Sequence, residues 1–417
     1  MSVLDILLPY LVYVLPFILV PVICVVLWIV WKRFVQMKNI FHGKPWVLLE
    51  VILPKEIFKS PQSMEIIFGA FAQGYSGTWW TRLVEGSLRT WFTLEMVSIE
   101  GRMHFYIRTL KLFKHLIESQ IYAQYGDIEV REAEDYVHLI KSSESEGWSF
   151  YGAQLKLAMP DPYPIKTYVD YGLDNMSLKE EMKTDPLTPT IEYLGSLGAG
   201  EYAGIQILVQ AAKDRVPVPG FWKKKKGWKD EGADLVKKLM DKKGETTKKD
   251  KDGAIKIELG QLKLSPGEQD VVKAIERSIS KIGFDCGIRM IYAAPKDKYQ
   301  LSHQLSLINL FAQYATLNLN GFKSDLSTSD DAVIQGWLGI TKKKMRWLKY
   351  MMLDAYRTRS YFYPPYKFKP FVLNTEELAT IFHFPGGVIT SGGLPRIESK
   401  KSEAPANLPT GQVGLPV

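Results

Sequence analysis

The residues whose types could carry out chemistry are scattered along this sequence. There is no G-x-x-x-x-G-K-[ST] phosphate-binding loop, and Gly43 and Lys44 run into Pro45 without the hydroxyl side chain that would hold magnesium. The six histidines show no paired metal-ligand spacing, and Cys24 and Cys286 lie far apart in the chain. We therefore predict no nucleotide hydrolysis by this route, no metal, no cofactor and a protein that is not an enzyme.

An enzyme with a site assembled from distant polar residues stays open as an alternative. Its candidate residues are Asp285 and Arg289 in one predicted strand and Glu276 in the helix before it. The acidic residues from Asp127 to Asp135 alternate between the two faces of a strand, which is typical of a solvated edge.

The most basic stretch runs from Trp222 to Lys251 and holds twelve lysines and six acids, most of the net charge of +8. Aromatic rings flank its lysines, a combination that suits an anionic membrane surface. The residues of this candidate contact are Phe221, Trp222, Lys223, Lys224, Lys225, Lys226 and Trp228. Three interpretations remain: a solvated mobile insertion, contact with anionic lipid headgroups, and unspecific binding of nucleic acid.

A second basic patch lies on a predicted helix from about Asp331 to Arg359, which also carries Trp347 and Tyr350. The plain interpretation is an amphipathic core helix with a polar side. The alternative is a docking surface for an acidic partner or phosphates. The candidate docking residues are Arg346, Lys349, Arg357, Arg359, Asn374 and Glu377, the last two forming a predicted capping box.

The N-terminal segment predicts a membrane anchor. Between Ile6 and Trp31 there is no charged residue, and about twenty such residues suffice to cross a bilayer. Trp28 and Trp31 are suited to the interface. A cleaved signal peptide is the competing interpretation, but the basic leading region and the small-residue cleavage site are missing.

The charges that flank this segment predict its orientation. Asp5 alone precedes it, whereas Lys32, Arg33, Lys38 and Lys44 follow it. Basic residues stay on the cytoplasmic side, so we expect a single-pass protein of the cell (inner) membrane with its N-terminus outside and its main domain cytoplasmic.

Beyond the anchor and juxtamembrane segment (1–44), periodicity predicts a mixed α+β protein. Residues 45–140 have the order βαββαβ, which is ferredoxin-like. Residues 148–325 predict a second such unit, with a basic insertion at 215–253, a strand at Ile255–Leu259 and a closing strand at Phe284–Tyr292. We expect C-terminal helices over 326–385 and a disordered tail over 386–417.

Three segments carry a family resemblance: WVLLEVILPKEIFKSPQSMEIIFGAF, LSPGEQDVVKAIERSISKIGFDCGIRMIYAAPK, and LNTEELATIFHFPG followed by APANLP. They resemble a bacterial membrane-proximal domain of unknown function that is encoded beside, or fused ahead of, conjugation and type IV secretion-like ATPases. No catalytic residue carries over. The resemblance implies a phosphate-loop motor after the Pro-rich linker, and because this sequence ends at Val417 we expect that motor on a separate chain.

These features together favour a non-catalytic membrane anchor and docking platform for a cytoplasmic motor ATPase of a type IV secretion, DNA-transfer or pilus-like apparatus. The expected partners are membrane lipids and that ATPase. The alternative function is a membrane-tethered nucleic-acid-binding module, since ferredoxin-like sheets can present aromatic rings to single strands.

Overall fold

A computed structural model of the chain describes residues 3–54, 59–73, 78, 80–81, 84–141, 147–174, 184–213, 216–217, 225–241, 246–249, 255–258, 264–328, 342–385 and 396–397. The main α-helices are α1 (Val3–Lys38), α2 (Gln62–Phe71), α3 (Lys114–Gln124), α4 (Thr188–Gly195), α5 (Trp228–Asp241), α6 (Pro266–Ser280), α7 (Leu301–Asn309), α8 (Lys342–Thr358) and α9 (Thr375–Ile381). The strands are β1 (Trp46–Pro54), β2 (Phe92–Ile99), β3 (Arg102–Leu110), β4 (Glu129–Ala133), β5 (Trp148–Leu157), β6 (Tyr202–Ala211), β7 (Val216–Pro217), β8 (Lys225–Lys226), β9 (Thr246–Lys249), β10 (Ile255–Glu258), β11 (Gly283–Pro295), β12 (Phe322–Ser327), β13 (Phe371–Asn374) and β14 (Arg396–Ile397).

Helix α1 is long and apolar enough to cross a membrane, as the sequence predicts. Its part from Phe17 to Lys38 has a mean hydropathy of 2.2 over its apolar window, and none of that window is buried against the rest of the protein. These 22 residues extend over about 33 Å at about 1.5 Å per residue, close to the thickness of a hydrocarbon core.

The first half of the domain forms four antiparallel strands in the order β4-β1-β3-β2. Helix α2 connects β1 to β2, and α3 connects β3 to β4. The two consecutive strands of the predicted βαββαβ order form a hairpin around Gly101, with Ile99 paired to Arg102. Alternate residues of β2 and β3 are buried under α2 and α3, as a period of two requires.

The second half forms the order β12-β5-β11-β6, also antiparallel. The prediction of Ile255–Leu259 as a strand of this sheet is wrong, because β10 pairs with β9 in a separate two-stranded sheet. Strand β11 is not an outer closing strand either, since it lies between β5 and β6. Alternating residues indicate that a segment is a strand, but they do not indicate which strand it pairs with. Strand β12 has three of its six residues exposed, so it lacks the apolar alternation by which a strand is recognised in a sequence.

The two halves join in one sheet because β2 pairs with β6, Phe92 opposite Val209. The helices predicted over 326–385 are present as α8 and α9, and the same segment also contributes β13, which pairs with β11 in this sheet. The predicted helix at 331–341 and most of the predicted tail lie outside the described residues. Within the tail, β14 pairs in parallel with Leu53 and Pro54.

The sheet buries both of its faces. Helices α2, α3, α4, α7 and α9 cover one face with the largest apolar cluster. Helix α8 covers the other with Met351, Met352, Leu353 and Tyr356. Strands buried on both sides explain the nearly continuous apolar sequence of β1, β6 and β11.

Candidate functional site

The C-terminal end of α1 is fixed to the sheet by a turn at residues 85–86. The Asn39 side-chain amide donates hydrogen bonds to the carbonyl oxygens of Glu85 (2.7 Å) and Gly86 (3.1 Å). Gly86 has φ +61°, and a Cβ there would lie 2.9 Å from the Val35 Cγ1 atom. Only glycine permits this approach without strain.

Aromatic rings reinforce this junction. The Trp91 side chain, 6% exposed, lies with its ring centroid 4.6 Å from that of Trp46 and 5.6 Å from that of Tyr363. The Arg108 guanidinium sits 4.2 Å from the Trp46 ring centroid, a cation–π distance. Ile40, just after α1, packs against the same cluster. The end of the helix is thus packed onto the sheet as well as hydrogen-bonded to it.

The close approach at Gly86 makes a testable prediction. Gly86→Ala should cost about 1 kcal/mol for the left-handed backbone, before any contact with Val35 is counted. The state in which the end of α1 is detached from the sheet should then be about fivefold more populated, and trypsin should cleave after Lys38 about fivefold faster. Gly126→Ala is the matched control, because nothing lies within 4 Å of its added Cβ. Equal cleavage rates for the two variants would contradict the prediction.

Arg89 is the polar centre of the region beside the junction. Its guanidinium donates to the Ala211 carbonyl oxygen at 2.7 Å and to the buried Asp285 carboxylate at 3.1 Å. Its backbone N–H donates to the Tyr363 hydroxyl, and its carbonyl accepts from the Gln210 amide. Arg89 therefore ties together the start of β2, the end of β6 and the start of β11.

A cleft of about 610 Å³ opens next to Arg89, between α1 and the edge of the sheet. Cationic side chains from four separate segments line it: Lys32, Arg89, Lys213 and Lys367. Among the described residues that line it, Asp285 is the one that is acidic. The rings of Phe362, Tyr363 and Phe368 form part of the wall. This arrangement suits an anionic ligand that carries an apolar part.

The predicted anchor residues all lie in α1. Trp28 and Trp31 are 45% and 54% exposed, as rings at a lipid interface would be. Lys32 is half-buried, with its ammonium 5.3 Å from the Trp28 ring centroid, and Arg33 is exposed. The side chain of Ile6 lies outside the described residues. The structure adds one role to the prediction, because Lys32 lines the cleft.

The basic insertion is described only in part. Phe221, Trp222, Lys223 and Lys224 lie outside the described residues, and the backbones of Lys225 and Lys226 form β8, paired with β7. Trp228 is 8% exposed and packs beside Gly283, so its predicted contact with a membrane surface is wrong. The ring is buried inside the fold, and the neighbouring lysines in the sequence do not indicate this burial.

The predicted docking residues divide into exposed and buried groups. Arg346 is exposed on α8 and Lys349 half-exposed. Arg357 donates to the Ile140 carbonyl oxygen inside the protein. Arg359 is only 1% exposed, so its assignment to a docking surface is wrong.

Asn374 and Glu377 are also wrong as docking residues, although their predicted capping box is confirmed. Both are 1% exposed. The Asn374 side chain accepts from the Glu377 N–H at 2.9 Å, and the Glu377 carboxylate accepts from the Asn374 N–H at 2.8 Å. It also accepts from the Ile165 N–H at 2.9 Å. Their polar groups form hydrogen bonds inside the protein and are not available to a partner.

An ionic network that the sequence does not predict lies under α8, with Arg359 and Glu95 buried and Asp135 at its exposed end. Arg359 forms two hydrogen bonds with Glu95, at 3.0 and 3.2 Å, and two with Asp135, at 2.5 and 2.8 Å. The Tyr136 hydroxyl donates to Glu95 at 2.6 Å. Burial by itself lowers the pKa of Arg359, but Glu95 and its neighbours raise that pKa well above its ordinary value. An acidic residue inside the apolar strand FTLEMVSI was the available signal.

The scattered polar residues do not form a common site. Arg289 is buried and donates to the carbonyl oxygens of Ala355 and Ser360, whereas Asp285 pairs with Arg89. Glu276 is exposed on α6. Within the described parts of the chain, no three His, Cys, Asp or Glu side chains are grouped as metal ligands.

Comparison with known proteins identifies a family for this chain but no curated relative. No curated protein matches it closely enough to count as a relative. Residues 83–386 match the family described as a domain of unknown function, DUF8128, which covers the region from the turn before β2 to the end of the capped helix α9. This match spans more than half of the sequence, so the chain belongs to the DUF8128 family.

Proposed function

We propose that the protein is a non-catalytic membrane anchor and docking platform for a cytoplasmic motor ATPase of a type IV secretion, DNA-transfer or pilus-like apparatus. The observation that carries the proposal is the junction between α1 and the sheet, where Asn39 and the Trp46–Trp91 pair fix an exposed apolar helix to a ten-stranded sheet. Such a rigid connection suits a protein that holds a force-generating partner at a membrane. The motor itself is inferred from the sequence resemblance.

The proposed orientation has the N-terminus outside the inner membrane and the sheet in the cytoplasm. The charges of Lys32 and Arg33 support it. We also propose that each half of the domain is a ferredoxin-like unit. If the four strands of each half are numbered in chain order, both halves have the spatial order 4-1-3-2, which is that of a ferredoxin-like sheet. The second strands of the two halves, β2 and β6, pair with each other.

The proposed docking surface for the motor is the outward side of α8. Trp347 and Tyr350 are 60% and 63% exposed there, beside the exposed Arg346. Exposed tryptophan, tyrosine and arginine side chains are the residue types that dominate binding energy at protein interfaces. This surface faces away from the sheet, which α8 contacts through Met351 and Met352.

Co-purification tests this proposal. The tagged full chain, extracted from its native membranes in mild detergent, should bring a phosphate-loop ATPase with it. The double variant Trp347→Ala, Tyr350→Ala should reduce the recovered ATPase by about tenfold or more. Leu305→Ala removes another exposed apolar side chain, 48% exposed on α7, and should leave recovery unchanged. Absence of any such ATPase from the wild-type eluate would contradict the proposal.

The same surface gives a specific reason to test nucleic acid as the alternative ligand. Exposed rings next to Lys343 and Lys344 are typical of surfaces on which single-stranded bases stack. Binding of single-stranded DNA that falls steeply with salt, and is lost in the Trp347→Ala, Tyr350→Ala variant, would favour this function. No binding at low salt would remove it.

A further inference from the structure

The cleft beside α1 combines positive charge with an apolar wall. Three lysines and one arginine line it against a single carboxylate, Asp285, which already pairs with Arg89. The lining lysines are half-buried or exposed, so their ammonium groups reach the space. An anion entering this cleft would be attracted by the positive charges of Lys32 and Lys367, which line it from α1 and from the segment before β13.

The cleft lies at the depth of a membrane surface if α1 spans the bilayer. Lys32 directly follows Trp31, the last residue of the uncharged segment, and both Lys32 and Gln36 line the cleft. The opposite wall comes from the ends of strands, since Gln210 is near the end of β6 and Asp285 near the start of β11. The edge of the sheet therefore faces the level at which lipid headgroups lie.

The basic insertion leaves the sheet at the same edge. It follows β6, which ends at Ala211, and precedes β11, which begins at Gly283. The Ala212 N–H donates to the Gly283 carbonyl oxygen at 3.0 Å, so the two ends of this excursion are adjacent. Lys213, two residues beyond β6, already lines the cleft. The chain segment that contains the basic insertion thus starts and ends at the edge of the sheet that lines the cleft.

We propose that this cleft binds the phosphate of an anionic phospholipid, with Lys32 and Lys367 around the phosphate. The rings of Phe362 and Phe368 contact the glycerol and upper acyl carbons. Its volume of about 610 Å³ is in the range of small-ligand sites. Basic pockets beside membrane helices on the cytoplasmic side recognise lipid headgroups in this way. The inference rests on the proposed membrane anchoring and goes beyond it by naming a bound lipid.

The test is a lipid titration of the full chain in mild detergent, with bound lipid counted by native mass spectrometry. The probes are phosphatidylglycerol and phosphatidylcholine with identical acyl chains. The wild type should bind phosphatidylglycerol preferentially, and Lys32→Gln and Lys367→Gln should each weaken that binding by about fivefold. Inorganic phosphate in millimolar amounts should not displace the lipid. Full displacement would overturn the lipid assignment in favour of a soluble phosphate ligand.

Arg33→Gln is the matched control. It removes the same charge from the adjacent residue of α1, but Arg33 does not line the cleft, so lipid preference should persist. Equal losses in the Arg33 and Lys32 variants would overturn the proposal, because general surface charge would then explain the binding. Alkaline carbonate extraction tests anchoring separately. A wild-type protein extracted by carbonate would contradict the anchor, while the detergent titration would still report on the cleft.

Discussion

Replacing Arg359 with methionine is expected to lower the free energy of unfolding by about 3–5 kcal/mol, the usual cost of removing one partner from a buried ion pair. The substitution keeps the apolar stem but leaves the Glu95 carboxylate, which is 0% exposed, without its cation. The hydrogen bonds from Tyr136 and Gln206 remain, and neither donor carries a positive charge. Equilibrium urea unfolding of the full chain in mild detergent measures the loss.

Two further variants separate this cause from simple loss of packing. In the double variant Glu95→Gln, Arg359→Met the uncompensated charge is gone, so it should be more stable than Arg359→Met alone. Lys156→Met breaks the ion pair between Lys156 and Asp325, two side chains that are each 47% exposed. This substitution should lower the free energy of unfolding by only about 0–1 kcal/mol. A double variant no more stable than the single variant would contradict the role assigned to charge.

The second large effect concerns pH and Glu377. Burial raises the pKa of Glu377 to about 8 from 4.5, although the N–H groups of Asn374 and Ile165 act in the opposite direction. Between these two pH values the folded protein holds a proton that the unfolded chain releases. The contribution of Glu377 to stability should therefore be greatest below about pH 4.5 and fall as pH rises toward 8, by up to about 1.4 kcal/mol per pH unit.

The variant Glu377→Gln isolates this contribution. Glutamine has nearly the same shape but does not ionise, so the difference in unfolding free energy between variant and wild type should change steadily across that pH range. Other titrating groups, including the buried His383, are common to both proteins and cancel. Urea unfolding at a series of pH values measures the difference. Parallel pH profiles for the two proteins would contradict the assignment.

Several elements could be predicted because their causes are local. The capping box at Asn374 and Glu377 depends on a spacing of three residues, and the structure confirms it. The hairpin between β2 and β3 follows from alternating residues on both sides of Gly101. The surroundings of these elements are not set locally: polar residues such as Asn374 and Glu377 suggest a surface position, yet the structure buries both.

Composition and periodicity alone locate the apolar helix, most of the strands of the sheet and the concentration of charge between β6 and β11. These properties depend on composition and on periods of two or 3.6 residues, which act within one element. The tertiary structure is needed to show that β11 lies in the interior of the sheet and that Arg359 contacts Glu95, 264 residues away. It is also needed to show that Lys32, Arg89, Lys213 and Lys367 line one cleft. The physical reason is that strand order and buried ion pairs depend on which distant surfaces pack together, and local periodicity carries no information about that choice.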